Sequence, residues 1–191
     1  MLFAPTPAQP VRERFLPMAI EEILQSLPDH AKDLRLNWSA LVGGEELTET
    51  QKWGSLIAAA YVSPSPKLFD AVVEEASKHI AAEIVTAAKG AAAIMGMNNV
   101  YYRFLHLASN KNYTKIPARL RMNIMRGHGA DPLDFELWSL AASAINGCGQ
   151  CIDSHESALV GKGVSEEVIL QVIRLAAVTR AIAAVVVAEK L

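Results

Sequence analysis

Two long alanine-rich stretches constrain the fold of this 191-residue chain more than any other feature, one running from Ala81 to Met97 and the other from Val168 to Ala188. Wound at 3.6 residues per turn, the first is apolar around nearly its whole circumference, so it has to be enclosed by other elements on several sides. Alanine favours helix, and the alternating patterns that mark strands are nearly absent from the chain. Charged and polar residues argue against a membrane as the enclosing medium: Glu83 and Lys89 interrupt the first stretch, and Gln171, Arg174 and Arg180 the second. A charge at bilayer depth costs on the order of 2.5–3.5 kcal/mol on insertion scales, so the sequence predicts two long helices of an all-α protein, the first of them central, rather than two spans. The N-terminus carries three prolines and no charge before Arg12, unlike a secretory signal. Residues 1–17 are therefore expected to form a flexible extension, and the protein to be cytoplasmic, with no membrane partner.

Local signals divide the remainder into further helices. Apolar residues recur at helical spacing from Met18 to Leu27 and stop at Pro28. Thr48 and Gln51 make a capping-box pattern ahead of Trp53, Leu56, Ile57 and Ala60, which predicts a helix ending before the Ser63–Pro66 break. Leu68 to Lys78 reads as another helix, and Asn98-Asn99 as the stop of the alanine-rich one. Residues 106–132, rich in Asn, Gly and Pro, read as an irregular connector holding one short helix near Leu120 to Met125. Asp134 to Ile145 is helical, Asn146-Gly147 a break, Cys148 to Val160 helical again, and Ser165 caps the last helix with Glu166 and Glu167 in its first turn. The hexapeptides Trp53–Ala58 and Trp138–Ser143 are similar, and each precedes a break, a mid-length helix and a long alanine-rich one. A degenerate internal duplication is expected, with residues 44–103 and 134–191 as the two copies inside one domain spanning 18–191.

Chemistry concentrates in the second copy. The chain has two cysteines, Cys148 and Cys151, too close in sequence to tie distant parts of a fold together. On a helix they lie three positions apart, where Cα atoms are roughly 5–5.5 Å from each other, inside the range of about 4.4–6.8 Å that a disulfide requires. His155 follows four positions after Cys151, one turn along the same face. Helix-start N–H groups and an imidazole are surroundings that lower a thiol pKa. Lowering it from about 8.5 to about 6.5 raises the thiolate fraction at pH 7 roughly 25-fold, while nucleophilicity falls roughly eightfold, so the net gain is only about threefold. Positioning and proton transfer must supply the rest, and Glu136 and His155 are the candidates for it.

Other chemistries fit less well. Haem attachment is excluded by Ile152, and a thioredoxin fold is disfavoured because helix, not strand, precedes Cys148. No second CxxC or HxxxH pair completes an ordinary zinc site, although Cys148, Cys151, His155 and Glu136 could together hold a metal. With a net charge of −2 and 20% charged residues, a nucleic-acid partner is not expected. His30, His79, His106 and His128 lack partners at metal-ligand spacing, Trp53 and Trp138 read as core anchors, and Met95 and Met97 as gap-fillers. Gly147 and Gly149 either admit another molecule to the thiols or shape the turn.

Phe135–Ser139, Ser143–Cys148, Cys151 and His155, with the block Gly90–Arg103 and the piece Leu120–Ile124, resemble the signature of the alkyl hydroperoxidase AhpD family, within the wider AhpD and carboxymuconolactone decarboxylase superfamily. The resemblance covers the chain from about Ile20 onward. It implies an all-α AhpD-like fold, a homotrimer, and an antioxidant peroxidase that reduces alkyl hydroperoxides through a Cys148–Cys151 dithiol–disulfide cycle without a bound cofactor. It further implies that Cys151 attacks the peroxide and passes through a sulfenic acid, that Cys148 donates a proton and resolves, and that Glu136 and His155 relay protons. The implied reductant is dihydrolipoamide on the acyltransferase of a 2-oxoacid dehydrogenase, recharged by lipoamide dehydrogenase, with an AhpC-type peroxiredoxin as a further electron acceptor. One departure stands out: Gln150 occupies a position where the family carries histidine, and an amide cannot titrate. Two other activities stay open, a lactone decarboxylase of the superfamily's other branch and a redox-sensing or metal-binding interaction module.

Overall fold

The computed structural model describes residues 19–191, so the extension expected at 1–17 lies outside the described residues. Among them the chain forms eight α-helices and no strand: α1 (Ile20–Ser26), α2 (Lys32–Val42), α3 (Glu49–Tyr61), α4 (Pro66–Ala76), α5 (Ala82–Leu107), α6 (Pro132–Asn146), α7 (Gly149–Val160) and α8 (Glu166–Ala188). The all-α fold class is as expected. Most starts are written locally. Thr48 and Gln51 form both halves of the capping box on α3. Ser65 caps α4 and Asp131 caps α6, each followed by proline at the first helical position, where its missing N–H costs nothing. Ser165 caps α8.

The centre is built from α3 and α6, which pack on each other and are both contacted by α5 and α8. Helix α4 lies on α3, α7 on α6 and α5, α2 on α8, and α1 on α4. Helix α8 is long and apolar enough to cross a membrane by length and composition, yet it packs against α2, α3 and α6 and buries Val172, Leu175, Ile182 and Val186 there. At the α3–α6 contact the fully buried indole of Trp138 lies against Gly54, and a Cβ built at that glycine would overlap the ring. Here glycine serves close approach rather than backbone freedom. Both tryptophans are core residues, as the hexapeptide pattern suggests.

Two expectations are corrected, and one helix was not foreseen. Asn98-Asn99 does not stop the alanine-rich helix: α5 continues to Leu107, because both side chains are buried and Asn99 spends its amide on tertiary partners instead of on its own backbone. The connector holds only 3₁₀ turns at Lys111–Lys115 and Asn123–Met125, in place of a helix near Leu120 to Met125. Helix α2 has no counterpart in the sequence reading, since Trp38 is its one buried residue and its apolar pattern is correspondingly thin. The remaining limits differ by a few residues, with α4 from Pro66 to Ala76, α6 from Pro132 to Asn146 and α7 from Gly149.

Two outcomes follow. Gly54→Ala forces α3 and α6 apart or displaces Trp138, and is expected to destabilise the fold by about 1–3 kcal/mol, read as a lowered urea midpoint with an unchanged denaturant slope. The second concerns Asp134 in the first turn of α6, where the helix dipole favours a carboxylate. Burial nevertheless holds its carboxyl above the ordinary aspartate range; a hydrogen bond from Gln51 works against this and the charge of Asp131 adds to it. The folded state therefore binds this proton more tightly than the unfolded chain, and stability falls as pH rises through the raised value. Asp134→Asn should match the parent in urea unfolding at acidic pH, below the ordinary aspartate pKa, and be the more stable protein at pH 7.

Candidate active site

The site begins where α6 ends. Gly147 sits in the left-handed region with φ of 66°, and the next N–H, that of Cys148, returns to the Ser143 carbonyl at 3.2 Å while the Gly147 N–H reaches Ala144 at 3.1 Å. This is a Schellman motif, which satisfies the last carbonyls of α6 and reverses the chain in a minimum of residues. Cys148 is thus the last member of one helix's terminus and the N-cap of the next: its Sγ accepts a hydrogen bond from the Cys151 N–H at 3.3 Å. Cys148 and Cys151 are joined by a disulfide, with their Cα atoms 5.3 Å apart.

The reversal lays α7 back along α6 and brings Glu136 to His155. Glu136 Oε2 lies 2.6 Å from His155 Nδ1, and since an ionised carboxylate only accepts, the ring donates from that nitrogen. His155 Nε2 faces Met95 Sδ of α5 at 3.3 Å. Both ring nitrogens are thereby fixed, and the side chain is 91% shielded. A second network pins the turn from behind. Asn99 donates to Ser143 Oγ at 2.9 Å, its carboxamide oxygen accepts from Asn146 Nδ2 at 2.9 Å, and Arg103 donates to the Asn146 carbonyl.

In front of the disulfide is a cavity of about 340 Å³ lined by Met95, Asn98, Tyr102, Met122, Met125 and the α7 residues Gln150, Cys151, Ser154 and His155. Its walls are mostly apolar. Cys151 borders it and keeps 6% of its surface exposed, whereas Cys148 exposes none. The carboxamide oxygen of Asn98 is buried without a hydrogen-bond partner. Asp153 and Glu156 point to solvent on the outer side of α7.

The structure therefore assembles all four residues that the sequence singled out, Glu136, Cys148, Cys151 and His155, and places Gln150 at the cavity rim. Among the described residues no group of three or more His, Cys, Asp or Glu stands close enough to hold a metal ion. The other histidines sit elsewhere: His79 stacks on Trp53, His128 stacks on Phe135, and His30 faces Glu189. The cavity walls were not legible in the sequence. Met95 is more than a gap-filler, since it touches the active-site imidazole, and Tyr102, Met122 and Met125 come from the far end of α5 and the connector. Methionines recurring at 95, 97, 122 and 125 were the available signal, because adaptable thioethers recur at binding surfaces.

Residues 112–191 match the model of the carboxymuconolactone decarboxylase family. Over nearly the whole chain the similarity is to proteins called alkyl hydroperoxide reductase AhpD: 54% identity to that of Koribacter versatilis, with 91% of this chain and 90% of the relative covered. For Solibacter usitatus the identity is 51%, covering 88% and 95%; for Maricaulis maris it is 52%, covering 90% and 99%. The chain belongs to the AhpD family. In this AhpD family member Glu136 lies on α6, and Cys148, Cys151 and His155 cap or lie on α7, on the two sides of one tight turn.

Proposed function

We propose that this protein is an alkyl hydroperoxide reductase that cycles between a Cys148/Cys151 dithiol and the disulfide present in the structure. The observation that carries this reading is the disulfide set at the mouth of α7 with one sulfur, that of Cys151, bordering an apolar cavity that also holds the paired His155 and Glu136. Cys151 is the sulfur an organic hydroperoxide can reach. Its thiolate attacks the terminal peroxide oxygen, the O–O bond breaks, and the alkoxide leaves with a proton delivered through His155, which Glu136 orients. Cys148 then attacks the resulting sulfenic acid, water leaves, and the disulfide closes. Two thiols and one hydroperoxide become one disulfide, one alcohol and one water.

Burial and capping give the return step its direction. An incoming thiolate meets Cys151, and the electron pair leaves on Cys148 Sγ, which accepts the Cys151 N–H at the positive end of a twelve-residue helix. The Cys151 N–H and the helix start stabilise the charge that gathers on Cys148 as it leaves, and the cavity-bordering sulfur of Cys151 is the one attacked. Family resemblance supports dihydrolipoamide, carried by a 2-oxoacid dehydrogenase acyltransferase and recharged by lipoamide dehydrogenase, as the reductant, and an AhpC-type peroxiredoxin as a further electron acceptor. Gln150 removes a titrating group from the rim, leaving His155 as the one imidazole among the cavity-lining residues.

The test is NADH oxidation coupled through lipoamide dehydrogenase and lipoamide to an organic hydroperoxide. Cys151→Ser is expected to abolish turnover, Cys148→Ser to stop it after a single sulfenic acid forms, and Glu136→Gln to lower kcat by about 10²–10⁴-fold. The match to the carboxymuconolactone decarboxylase family model favours lactone decarboxylation as the alternative. Full decarboxylase activity in a Cys148→Ser, Cys151→Ser protein would establish that alternative instead.

A homotrimer belongs to the same reading. Val100, Phe104 and Leu107 form an exposed apolar stripe along the last turns of α5, and Tyr113 and Ile116 of the following turn extend it. Contiguous apolar surface of this kind marks an interaction site. Light scattering should return three chains per particle, and Phe104→Glu with Leu107→Glu should return one.

A further inference from the structure

The near-neutral net charge conceals a sharp segregation. Residues 84–130 hold Lys89, Arg103, Lys111, Lys115, Arg119, Arg121 and Arg126 and not one Asp or Glu. These are seven of the chain's 18 Lys and Arg, so the rest of the protein carries 11 cations against all 20 acids. The C-terminal part of this basic segment is a wall of the active-site cavity. Met122 and Met125 line the cavity, and Ile124 between them packs toward Gly90 of α5. Arg121 directly precedes this wall, Arg126 directly follows it, and Arg119 stands two residues earlier with a positive φ of 51°. All three arginines are exposed, and none takes part in the ion pairs found among the described residues. On the α7 side, the rim residues Gln150 and Ser154 are uncharged.

A cationic rim does nothing for an alkyl hydroperoxide, which is neutral at pH 7. It acts on whatever else must reach Cys151, and the catalytic cycle requires one such visitor, the dithiol. We infer that residues 119–126 are the docking surface for the protein that reduces the Cys148–Cys151 disulfide, and that this partner is acidic around the arm carrying its dithiol. The inference rests on the peroxidase reading above and deepens it. Docked there, the arm needs only to cross the Met122–Met125 wall to meet Cys151. One carrier thiolate attacks Cys151 Sγ, the Cys148–Cys151 bond breaks, and Cys148 leaves with the electron pair and takes up a proton. The second carrier thiolate attacks the carrier sulfur of the mixed disulfide and releases Cys151. Two electrons pass to this chain, and the carrier departs as a cyclic disulfide. Clefts edged by one sign of charge raise association rates of oppositely charged partners by 10–10³, steeply reduced by salt.

The experiment measures reduction of the oxidised protein by two donors at low and high salt: a reduced lipoyl domain with an acidic surface, and free dihydrolipoamide, which is uncharged at its amide end. Wild-type protein should lose rate with the lipoyl domain as salt rises and keep it with the free dithiol. Replacing the three arginines, as Arg119→Glu, Arg121→Glu and Arg126→Glu, should lower kcat/KM for the lipoyl domain tenfold or more and flatten its salt dependence. The same protein should keep its rate with free dihydrolipoamide and with a neutral alkyl hydroperoxide within about twofold. The corresponding glutamine triple, gentler on folding, should lie between the two. An unchanged rate with the lipoyl domain overturns the inference, and so does an equal loss with both donors. A change confined to an anionic fatty-acid hydroperoxide overturns it too, by assigning the rim to substrate. If wild-type protein is reduced by neither donor, the peroxidase reading itself falls, a result visible before any variant is made.

Discussion

Everything at the site depends on a three-residue reversal. The Schellman turn at Asn146–Cys148 ends α6, and its last residue caps α7, so the two helices meet with no intervening slack. Because the turn is short, α7 folds back beside α6. This is why Glu136 and His155 pair despite their separation of 19 in sequence. Only a residue that tolerates φ of 66° can stand at 147 without strain, so glycine there serves the turn. The Asn99, Ser143, Asn146 and Arg103 contacts then fasten the turn to α5, the helix that also supplies Met95 and Asn98 to the cavity. One rigid corner therefore sets the thiols, the imidazole and the wall opposite them.

The proposed duplication gives this corner an internal control. Ser65 caps α4 in the way Cys148 caps α7: Ser65 Oγ accepts the Leu68 N–H at 3.2 Å, and Cys148 Sγ accepts the Cys151 N–H at 3.3 Å. Counting from the cap, Leu68 stands where Cys151 stands and Val72 where His155 stands, and both aliphatic residues are fully buried. At the position of Glu136, two residues before the tryptophan, α3 has Gln51, which completes a capping box. The same helical scaffold thus closes into plain hydrocarbon core when the cap is serine and opens a reactive face when it is cysteine. Capping geometry is common to both halves, and they differ at the four side chains of the site: Glu136, Cys148, Cys151 and His155.

Features set by neighbouring residues were legible from sequence, and those set by distant ones were not. The Thr48–Gln51 box, the Ser63–Pro66 break and the Asn146-Gly147 stop are local, and they delimit α3, α4 and α6 to within a few residues. The spacing of Cys148, Cys151 and His155 on one helix face is local too. Asn98-Asn99 misleads for the opposite reason. Asparagine breaks helices because its amide competes for nearby backbone groups, and here Ser143 and Asn146, more than forty residues away, engage the Asn99 amide first. Glu136 could be nominated from chemistry, but its approach to His155 required the turn, and the roles of Met122 and Met125 required the connector to fold back over α5. No spacing rule within the connector contains that information.

The two sulfurs of the pair occupy unequal positions, and the inequality bears on how such a site can be both reactive and durable. Ionisation favours the N-cap sulfur, Cys148, where an amide and the helix dipole converge, while access favours Cys151, which alone borders the cavity. Had both properties fallen on one cysteine, a stable exposed thiolate would stand open to any oxidant and to progression up the oxidation ladder. In the proposed cycle the two are divided: the cavity-bordering sulfur lies beside His155, and its partner's Cα is 5.3 Å away, close enough to close the disulfide with little backbone movement. The basic residues beside the Met122–Met125 wall add a third element, and on the proposed reading they, rather than the buried Cys148 and the shielded imidazole, meet the partner. On the proposed reading, reactivity belongs to the helix cap and selection to the connector, and the cavity, lined by residues of α5, α7 and the connector, joins the two.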